Sequence, residues 1–468
     1  MTLFPKIVDR RMLLGVGILI AAAIFTLGPL GAWLTPQQQW AAGLILVAIG
    51  FWAGQVLPDA VVALIFMCSV MITGIARPEQ AFAGFLSGAN WLIFSGIVVG
   101  LGIRHVGLNQ RMAALMLAFA PRRYELTVLA AGLAAFAAAF VIPSSMGRIV
   151  ILVPIAVALA DALGYRPGDP GRTGIVLTVG AAAYFPSFGI LPAGLPNVII
   201  YGAAESLYGL RFTYGEWLLL NGPVVGLLKT LILIASALVL FRPLPRDAAQ
   251  EMGTGSITVS DFDAGQRRLL VVLGLTIALW ASDAWHGISP AWIGLAAACL
   301  LVFPGLNLTP KDPFKALDLA PFFYVAGVLG IGAVVAETGL GAVTARHLID
   351  LFAMQAGEPH LALVKLIAMA FILALFFTIA AAPAVFGPLA GQLAEATGLP
   401  LDIVLSSQLI GITSMVFPYQ GPPLVVAALL GGVGMGATLR FCLLQGVLSL
   451  ILMSTAQIGW WSLLGRLG

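Results

Sequence analysis

The run PIAVALADALG at residues 154–164 recurs as PLAGQLAEATG at residues 388–398. A second run, GLGIRHVGL at residues 100–108, recurs more weakly, and in the same order, as GAVVAETGL at residues 332–340. Two matched runs in one order predict an internal duplication, which has to be recognised before any fold is assigned.

The composition places both copies in a membrane. Of 468 residues, 60% are hydrophobic and 9% are charged, whereas a soluble domain has about 45–50% apolar and about 25% charged residues. The formal charge of +3 is too small to form a nucleic-acid-binding surface. The lipid bilayer is therefore an expected partner and nucleic acid is not.

Apolar stretches of about 20 residues predict spanning helices. They lie at residues 12–33, 39–56, 59–76, 90–106, 223–241, 268–283, 290–304, 320–336 and 439–460. Four further apolar regions, 124–163, 175–207, 360–397 and 403–435, are interrupted by Pro and Gly. The expected fold class is an all-α polytopic membrane protein with about eleven transmembrane helices plus two re-entrant hairpins in inverted-topology repeats.

The expected division of the chain follows from this map. Residues 1–89 form N-terminal scaffold helices, 90–241 the first inverted repeat with hairpin 124–163 and broken helix 175–207, and 242–268 a cytoplasmic linker. Residues 269–319 form further scaffold helices, and 320–468 the second repeat with hairpin 360–397 and broken helix 403–435.

Basic residues predict the orientation, because Lys and Arg near helix ends favour the cytoplasmic side. Lys6, Arg10 and Arg11 predict a cytoplasmic N-terminus in the cytoplasmic membrane, and a retained first helix. The spans 90–106 and 320–336 then run in opposite directions. Arg77, Arg211 and Arg346 are the exceptions, because this scheme places them outside.

Inverted repeats with broken helices in corresponding positions are typical of secondary transporters with a binding site near the membrane midplane. Lipid offers no hydrogen-bond partners, so unwound backbone at that depth must line a cavity or be buried in protein. Pro196 in LPN and Pro422 in GPPL are a third matched landmark of the two copies. The interruptions are therefore the expected place for a site.

The first interruption is VIPSSMGRIV at residues 141–150. It lies between apolar arms 126–142 and 149–163, and Ser144 and Ser145 are expected at the start of the second half-helix, where free N–H groups attract an anion. The alternative is two tilted spans joined by a surface turn. Arg148 is costly to bury in a bilayer and matches an oxyanion by its planar donors. Snorkelling to the surface and pairing with freed carbonyls remain open for it.

The other three interruptions are FPSFGILPAGLPN at 185–197, TIAAAPAVFGP at 378–388 and FPYQGPP at 417–423. Asn197 is a candidate for a cation or substrate site, or for a helix cap. Thr378 is the main side-chain donor of the third, and Tyr419 and Gln420 are candidate contacts in the fourth. Lys229 and Lys365 are expected to snorkel from helix ends.

At these motifs the sequence resembles the divalent anion/sodium symporter family over roughly residues 40–465. The resemblance is most specific in WLIFSGIVVGLGIRHVGLNQRMA from Trp91, VPIAVALADALG from Val153, ETGL from Glu337 and FPYQGPPL from Phe417. It implies inverted repeats with re-entrant hairpins, an elevator-type mechanism and a homodimer.

The family's Ser-Asn-Thr tips correspond here to Ser144-Ser145-Met146 and Thr378-Ile379-Ala380, and its Pro-Pro-Asn turns to Leu195-Pro196-Asn197 and Pro422-Pro423-Leu424. From the interruptions and the resemblance together, we expect substrate binding by Ser144, Ser145, Met146, Gly147, Arg148, Asn197, Thr378, Ala382, Pro383, Gln420, Gly421 and Pro422. It implies cation binding by Ser144, Ser145, Gly194 and Asn197. Sodium is the only cofactor that it suggests. No catalytic residue or other metal site is expected.

The predicted function is an elevator-type secondary transporter of a small anion, a dicarboxylate or similar oxyanion, coupled to sodium or protons or working as an exchanger. Because Arg148 replaces a small polar residue of the family, we hypothesise that its charge substitutes for a bound cation. A sodium/proton antiporter is the alternative, although no carboxylate occurs at the hairpin tips. An intramembrane enzyme is disfavoured, because paired Asp, Ser/His and HExxH motifs are missing from the apolar spans.

Overall fold

The computed structural model describes residues 10–28, 34–108, 110–111, 121, 123–243, 261–376 and 378–467. These residues form α-helices with short 3-10 and π turns, and no strand occurs among them. Most of the predicted linker, residues 244–260, lies outside the described part, as does Lys6.

The N-terminal part contains three long helices, two short ones and the first helix of the first repeat. They are α1 (Arg10–Leu27), α2 (Pro36–Ala53), α3 (Asp59–Thr73), α4 (Pro78–Ala81), α5 (Ala83–Leu86) and α6 (Gly88–His105). Thr35 caps α2 by accepting a hydrogen bond from the Gln38 N–H, and Pro36 occupies the first turn, where no N–H is needed.

The first repeat continues with a hairpin, a broken helix and a long final helix. The hairpin is α7 (Tyr124–Ala137) and α8 (Ser145–Ala162), and the broken helix is α9 (Pro170–Ala182) and α10 (Leu195–Tyr208). The final helix is α11 (Tyr214–Asn221), a π-helical turn (Gly222–Leu228) and α12 (Lys229–Leu240).

The second half repeats this order after four connecting helices. These are α13 (Ala264–Ala281), α14 (Asp283–His286), α15 (Pro290–Val302) and α16 (Pro313–Ala316). The repeat comprises α17 (Ala320–Glu337), α18 (Leu340–Leu351), α19 (Pro359–Phe376), α20 (Ala382–Phe386), α21 (Ala390–Thr397), α22 (Leu401–Thr413), α23 (Pro422–Leu430) and α24 (Met435–Leu463).

The all-helical polytopic fold predicted from the sequence is confirmed, and one predicted boundary is wrong. Helix α8 begins at Ser145 with Ser144 as its cap, as predicted, and Arg148 lies in its first turn. The span predicted from residue 223 begins at Tyr214, since the helix continues through Gly222 and Pro223 as a π turn. The domain division and the opposite orientation of the repeats stay predictions.

Six helices within the described ranges are long and apolar enough to cross a membrane. They are Ser145–Ala162, Tyr214–Leu240, Ala264–Ala281, Ala320–Glu337, Pro359–Phe376 and Met435–Leu463. The stretch from α20 through α22 has a similar composition but bends by 119° between Thr397 and Leu401.

The two halves pack crosswise. Helix α8, the second arm of the first hairpin, contacts α23 from the second broken helix, and α20 contacts α10 from the first. Helix α9 also contacts α23. Each hairpin also packs along the broken helix of its own repeat, so each hairpin contacts the broken helices of both repeats.

Helix α24 presses against the unwound segment that follows α22. A Cβ atom on Gly446 would lie 2.5 Å from the Met415 carbonyl oxygen, whereas one on Gly459 of the same helix would meet nothing within 4 Å.

We expect Gly446→Ala to lower the thermal unfolding midpoint in detergent by about 2–5 °C, because the added methyl group cannot be accommodated. Gly459→Ala is the matched control and should be neutral or stabilising, since Ala favours a helix over Gly by about 1 kcal/mol. Equal stability of the two variants would contradict the close approach at Gly446.

Candidate functional site

The tip of the first hairpin is a short extended segment between two helices. Helix α7 ends in a 3-10 turn at Phe140, and α8 begins at Ser145. The Ser144 hydroxyl caps α8 by accepting a hydrogen bond from the Gly147 N–H at 3.1 Å. Ser144 and Ser145 thus stand at a helix N-terminus, as predicted, but one N–H group there is already paired.

Arg148 is enclosed by the break of the first broken helix and by its own hairpin tip. Its side chain is 0% exposed. Nε donates to the Ala183 carbonyl oxygen at 2.7 Å, and Nη1 donates to the Ile142 carbonyl oxygen. Nη2 donates to the Ala193 carbonyl oxygen and to Ser145 Oγ, both at 3.0 Å.

These contacts show how the charge of Arg148 is accommodated. A hydrogen bond from a charged group contributes about 1.5–3 kcal/mol, and a buried carbonyl without a donor costs a similar amount. Arg148 therefore offsets its own burial while pairing oxygens that the interrupted backbone leaves open. Of the alternatives that the sequence left open for Arg148, pairing with freed carbonyls occurs in the structure, whereas snorkelling to the surface does not. Direct contact of Arg148 with an anion stays a prediction.

The break between α9 and α10 is stabilised from within by Asn197. Its Nδ2 donates to the carbonyl oxygens of Ser187 at 3.1 Å and Ile190 at 2.7 Å. The Asn197 Oδ1 is buried and accepts no hydrogen bond from any described residue. Gly194 lies just before α10, where a Cβ would strike the Phe188 ring at 2.8 Å.

The second hairpin tip is tied to the second break mainly by backbone and amide groups. The Ile379 N–H donates to the Gln420 carbonyl oxygen at 2.9 Å. Gln420 Nε2 donates to the Ala374 carbonyl oxygen at 2.6 Å, and Gln420 Oε1 accepts from the N–H groups of Val416 and Phe417. Gln420 is 0% exposed, so its amide is used within the protein.

The remaining predicted residues differ in how far they are buried. Gly421 allows the two breaks to touch, because its Cβ would lie 3.1 Å from the Tyr184 ring. Ala382 and Pro383 are buried in the first turn of α20, which packs against α10, and Pro422 begins α23. Met146 is 41% exposed at the first tip, and Gly147 beside it and Thr378 at the second tip are half-buried.

The sequence prediction for Lys229 is wrong. Lys229 is 0% exposed rather than snorkelling to a surface. It lies near the middle of the 27-residue helical stretch Tyr214–Leu240, not near the end of a shorter span. The sequence signal that was overlooked is Thr213 together with Glu216. The Thr213 hydroxyl and the Glu216 carboxylate form a reciprocal N-cap, so the helix begins at Tyr214, nine residues before Pro223.

A narrow cleft lies between the first hairpin tip and helices α6, α13 and α15. Its lining includes Pro143 and Pro192 on the hairpin side and Leu92, Leu273 and Trp280 on the other, with Ser95 and Thr276 as polar members. The lining is mostly apolar and contains no charged side chain. Among the described residues, no group of three or more His, Cys, Asp or Glu could hold a metal ion.

We expect Arg148→Lys to lower the thermal unfolding midpoint by at least about 5 °C, because one ammonium nitrogen cannot reach oxygens that three guanidinium nitrogens contact. Arg77→Lys is the matched control. Arg77 forms an exposed ion pair with Glu337 at 3.6 Å, which contributes at most about 1 kcal/mol. An equal unfolding midpoint for Arg148→Lys and the control would contradict a stabilising role of the hydrogen bonds between Arg148 and the three carbonyl oxygens.

Curated relatives align with more than half of this chain at about a quarter identity. An L-tartrate/succinate antiporter of Escherichia coli strain UTI89 is 25% identical over 446 residues, covering 86% of this chain and 88% of the relative. A membrane protein of Cupriavidus necator is 24% identical over 269 residues, and this match spans about half of that relative, 52%.

Solved structures show the same fold at low identity. The YdaH transporter of Alcanivorax borkumensis matches with a TM-score of 0.51 and 16% identity, covering 81% of this chain and 88% of that one. MtrF of Neisseria gonorrhoeae, from a class of antimetabolite efflux pumps, matches with a TM-score of 0.51 and 17% identity, covering 85% and 84%.

The sequence model described as the sodium:sulfate symporter transmembrane region matches residues 10–467. This match covers nearly the whole chain and agrees with the broken helices, the hairpins and the relatives named above. The chain is therefore a membrane transporter that belongs to the sodium:sulfate symporter family, the divalent anion/sodium symporters.

Proposed function

We propose that the protein exchanges small dianions of the dicarboxylate class across the membrane without requiring sodium. The hairpin tips and the two breaks form the mobile binding core, and an elevator-type movement of this core carries the anion. The working unit is a homodimer with cytoplasmic N-termini, as the family resemblance and the basic residues near α1 suggest.

The observation that carries this proposal is the environment of Arg148. In secondary transporters, unwound carbonyls and half-helix ends are the groups that coordinate a coupling cation. Here the carbonyl oxygens of Ile142, Ala183 and Ala193 accept hydrogen bonds from one guanidinium. The oxygens that a cation would need beside Ser145 are therefore already paired with a positive charge that belongs to the chain.

The candidate cation ligands fit a sodium ion poorly for the same reason. Ser144 Oγ accepts from Gly147, and Ser145 Oγ accepts from Arg148. The Asn197 amide donates through Nδ2, and its Oδ1 is the one side-chain acceptor of Ser144, Ser145 and Asn197 that no described residue contacts by a hydrogen bond. One open oxygen does not complete a shell of several oxygen ligands.

The substrate class follows from charge and from the relatives. The first tip combines the N-terminus of α8, which attracts an anion, with the nearby Arg148 charge. The antiporters among the relatives are named for tartrate and succinate. Both are dicarboxylates, and we assign a substrate of that kind to this chain.

The proposed movement agrees with the apolar cleft beside the first tip. Its walls, formed by the tip on one side and by α6, α13 and α15 on the other, share no charged groups. An interface of this type lets one unit slide past the other without breaking ion pairs.

Sodium-coupled symport is a second candidate, favoured by the unpartnered Asn197 Oδ1. A sodium ion bound there would use one oxygen of the first break and others provided by substrate or water. This candidate predicts saturable stimulation by sodium, whereas exchange through a fixed charge does not.

The test is exchange in proteoliposomes loaded with unlabelled succinate. We expect uptake of radiolabelled succinate in sodium-free buffer at a rate within about twofold of that in sodium, and little uptake into vesicles without internal anion. Arg148→Ala should abolish succinate binding and uptake, because it removes the fixed charge and leaves the carbonyl oxygens that Arg148 contacts without donors.

Strong, saturable stimulation by sodium would overturn the proposed coupling. Unchanged succinate affinity in Arg148→Ala would return Arg148 to a purely structural role. Absence of transport for succinate, tartrate and sulfate alike would reject the substrate class.

A further inference from the structure

Lys229 is a second buried basic residue of the core, on a different helix from Arg148. It begins α12 directly after the π-helical turn Gly222–Leu228. Such turns are rare and frequently occur at functional sites. The side chain is 0% exposed, and it forms no ion pair with a carboxylate of the described residues.

The ammonium group is fully coordinated by neutral groups. Nζ donates to the Thr413 carbonyl oxygen at 2.8 Å, to Gln445 Oε1 at 2.5 Å and to Ser449 Oγ at 2.7 Å. The Phe185 ring centroid lies 4.9 Å from Nζ, on the side that a cation prefers. Three N–H donors and the charge are thus satisfied without an acid.

Two of these partners adjoin the breaks, and the other two, Gln445 and Ser449, lie on α24. Thr413 is the last residue of α22, so its carbonyl oxygen is at the negative end of the helix, where a cation is stabilised. Phe185 begins the 3-10 segment of the first break. Gln445 extends the connection, since its Nε2 donates to the Met415 carbonyl oxygen at 2.5 Å in the second break.

The first repeat has the same relation between a helix end and a cation. Arg148 Nε donates to Ala183, the residue that caps the C-terminus of α9. Helices α9 and α22 are the first halves of the two broken helices and occupy the same place in the two repeats. The C-terminal end of α9 and that of α22 therefore each contact a buried basic side chain that another helix contributes.

We propose that Lys229 is a second fixed cation of the binding core and, together with Arg148, sets its preference for dianions over monoanions. This inference rests on the proposed exchange of dicarboxylates. Two buried positive charges without acidic partners produce a field that a dianion balances and a monoanion does not. Because the Coulomb energy scales with ligand charge, removing one fixed charge weakens dianion binding more than monoanion binding.

We treat Lys229 as a positioning residue, so its test has to separate the effect of its charge from the effect of its packing. Gln445 offers the separation. Gln445→Glu keeps the size of the side chain and the lysine but neutralises Nζ with a carboxylate. Gln445→Met removes the same hydrogen bond to Met415 without adding a charge, and it also removes the Oε1 acceptor of Nζ, so a larger loss in Gln445→Glu than in Gln445→Met reports the added charge and not the lost hydrogen bonds.

The experiment measures half-saturation for radiolabelled succinate and inhibition by monomethyl succinate in sodium-free proteoliposomes. We expect succinate affinity to be at least about tenfold weaker in Gln445→Glu than in Gln445→Met, with a change of no more than about threefold for the monoester. Lys229→Met should show the same loss of selectivity. Lys365→Met is the control for removing a lysine, because Lys365 contacts the Ala353 carbonyl oxygen near a helix end, and it should match the wild type.

Equal succinate affinities in Gln445→Glu and Gln445→Met would overturn the inference, as would parallel losses for succinate and its monoester, which indicate a packing role. These results leave the proposed function intact when the wild type exchanges succinate. Failure of the wild type itself to exchange would instead overturn the proposed function and this inference with it.

Discussion

The structure depends on how unwound backbone is paired in the interior of a membrane protein. Both broken helices stop and restart, and the carbonyls released between α9 and α10 and between α22 and α23 have no lipid partners. The first break obtains its donors from Arg148 and Asn197, and the second obtains them from Lys229 and Gln445. The remaining features of the core follow from this pairing.

One consequence is that each hairpin tip and the break beside it form a single unit. Arg148 connects its own tip at Ile142 to the break at Ala183 and Ala193, and Gln420 connects its break to Ala374 of the second hairpin. In the proposed movement, a tip carries its break along and slides at the cleft against α6, α13 and α15, which has no charged lining residue. The same pairing carries the proposed preference for dianions, because the chain pairs these carbonyls with its own basic side chains.

The sequence was sufficient to predict the repeats, the four interruptions and the transporter class, because each depends on spacing and on Pro and Gly. It was also sufficient to single out Arg148 and to include carbonyl pairing among its alternatives. It could not choose among those alternatives, since the acceptors at Ala183 and Ala193 are distant in the chain. Lys229 was misjudged because Asn221-Gly222-Pro223 is typical of a helix boundary, yet a π turn continues the helix through it. Only the continued helix places Lys229 in the core.

The central claim is that side-chain cations replace bound metal cations at the two breaks. The most direct measurement is the equilibrium affinity of the purified wild-type protein for radiolabelled succinate as sodium is titrated against choline at constant ionic strength. Linkage requires log Kd to fall with log sodium concentration by the number of sodium ions bound with substrate. The account predicts a slope of zero, and a slope of −1 or steeper would contradict it.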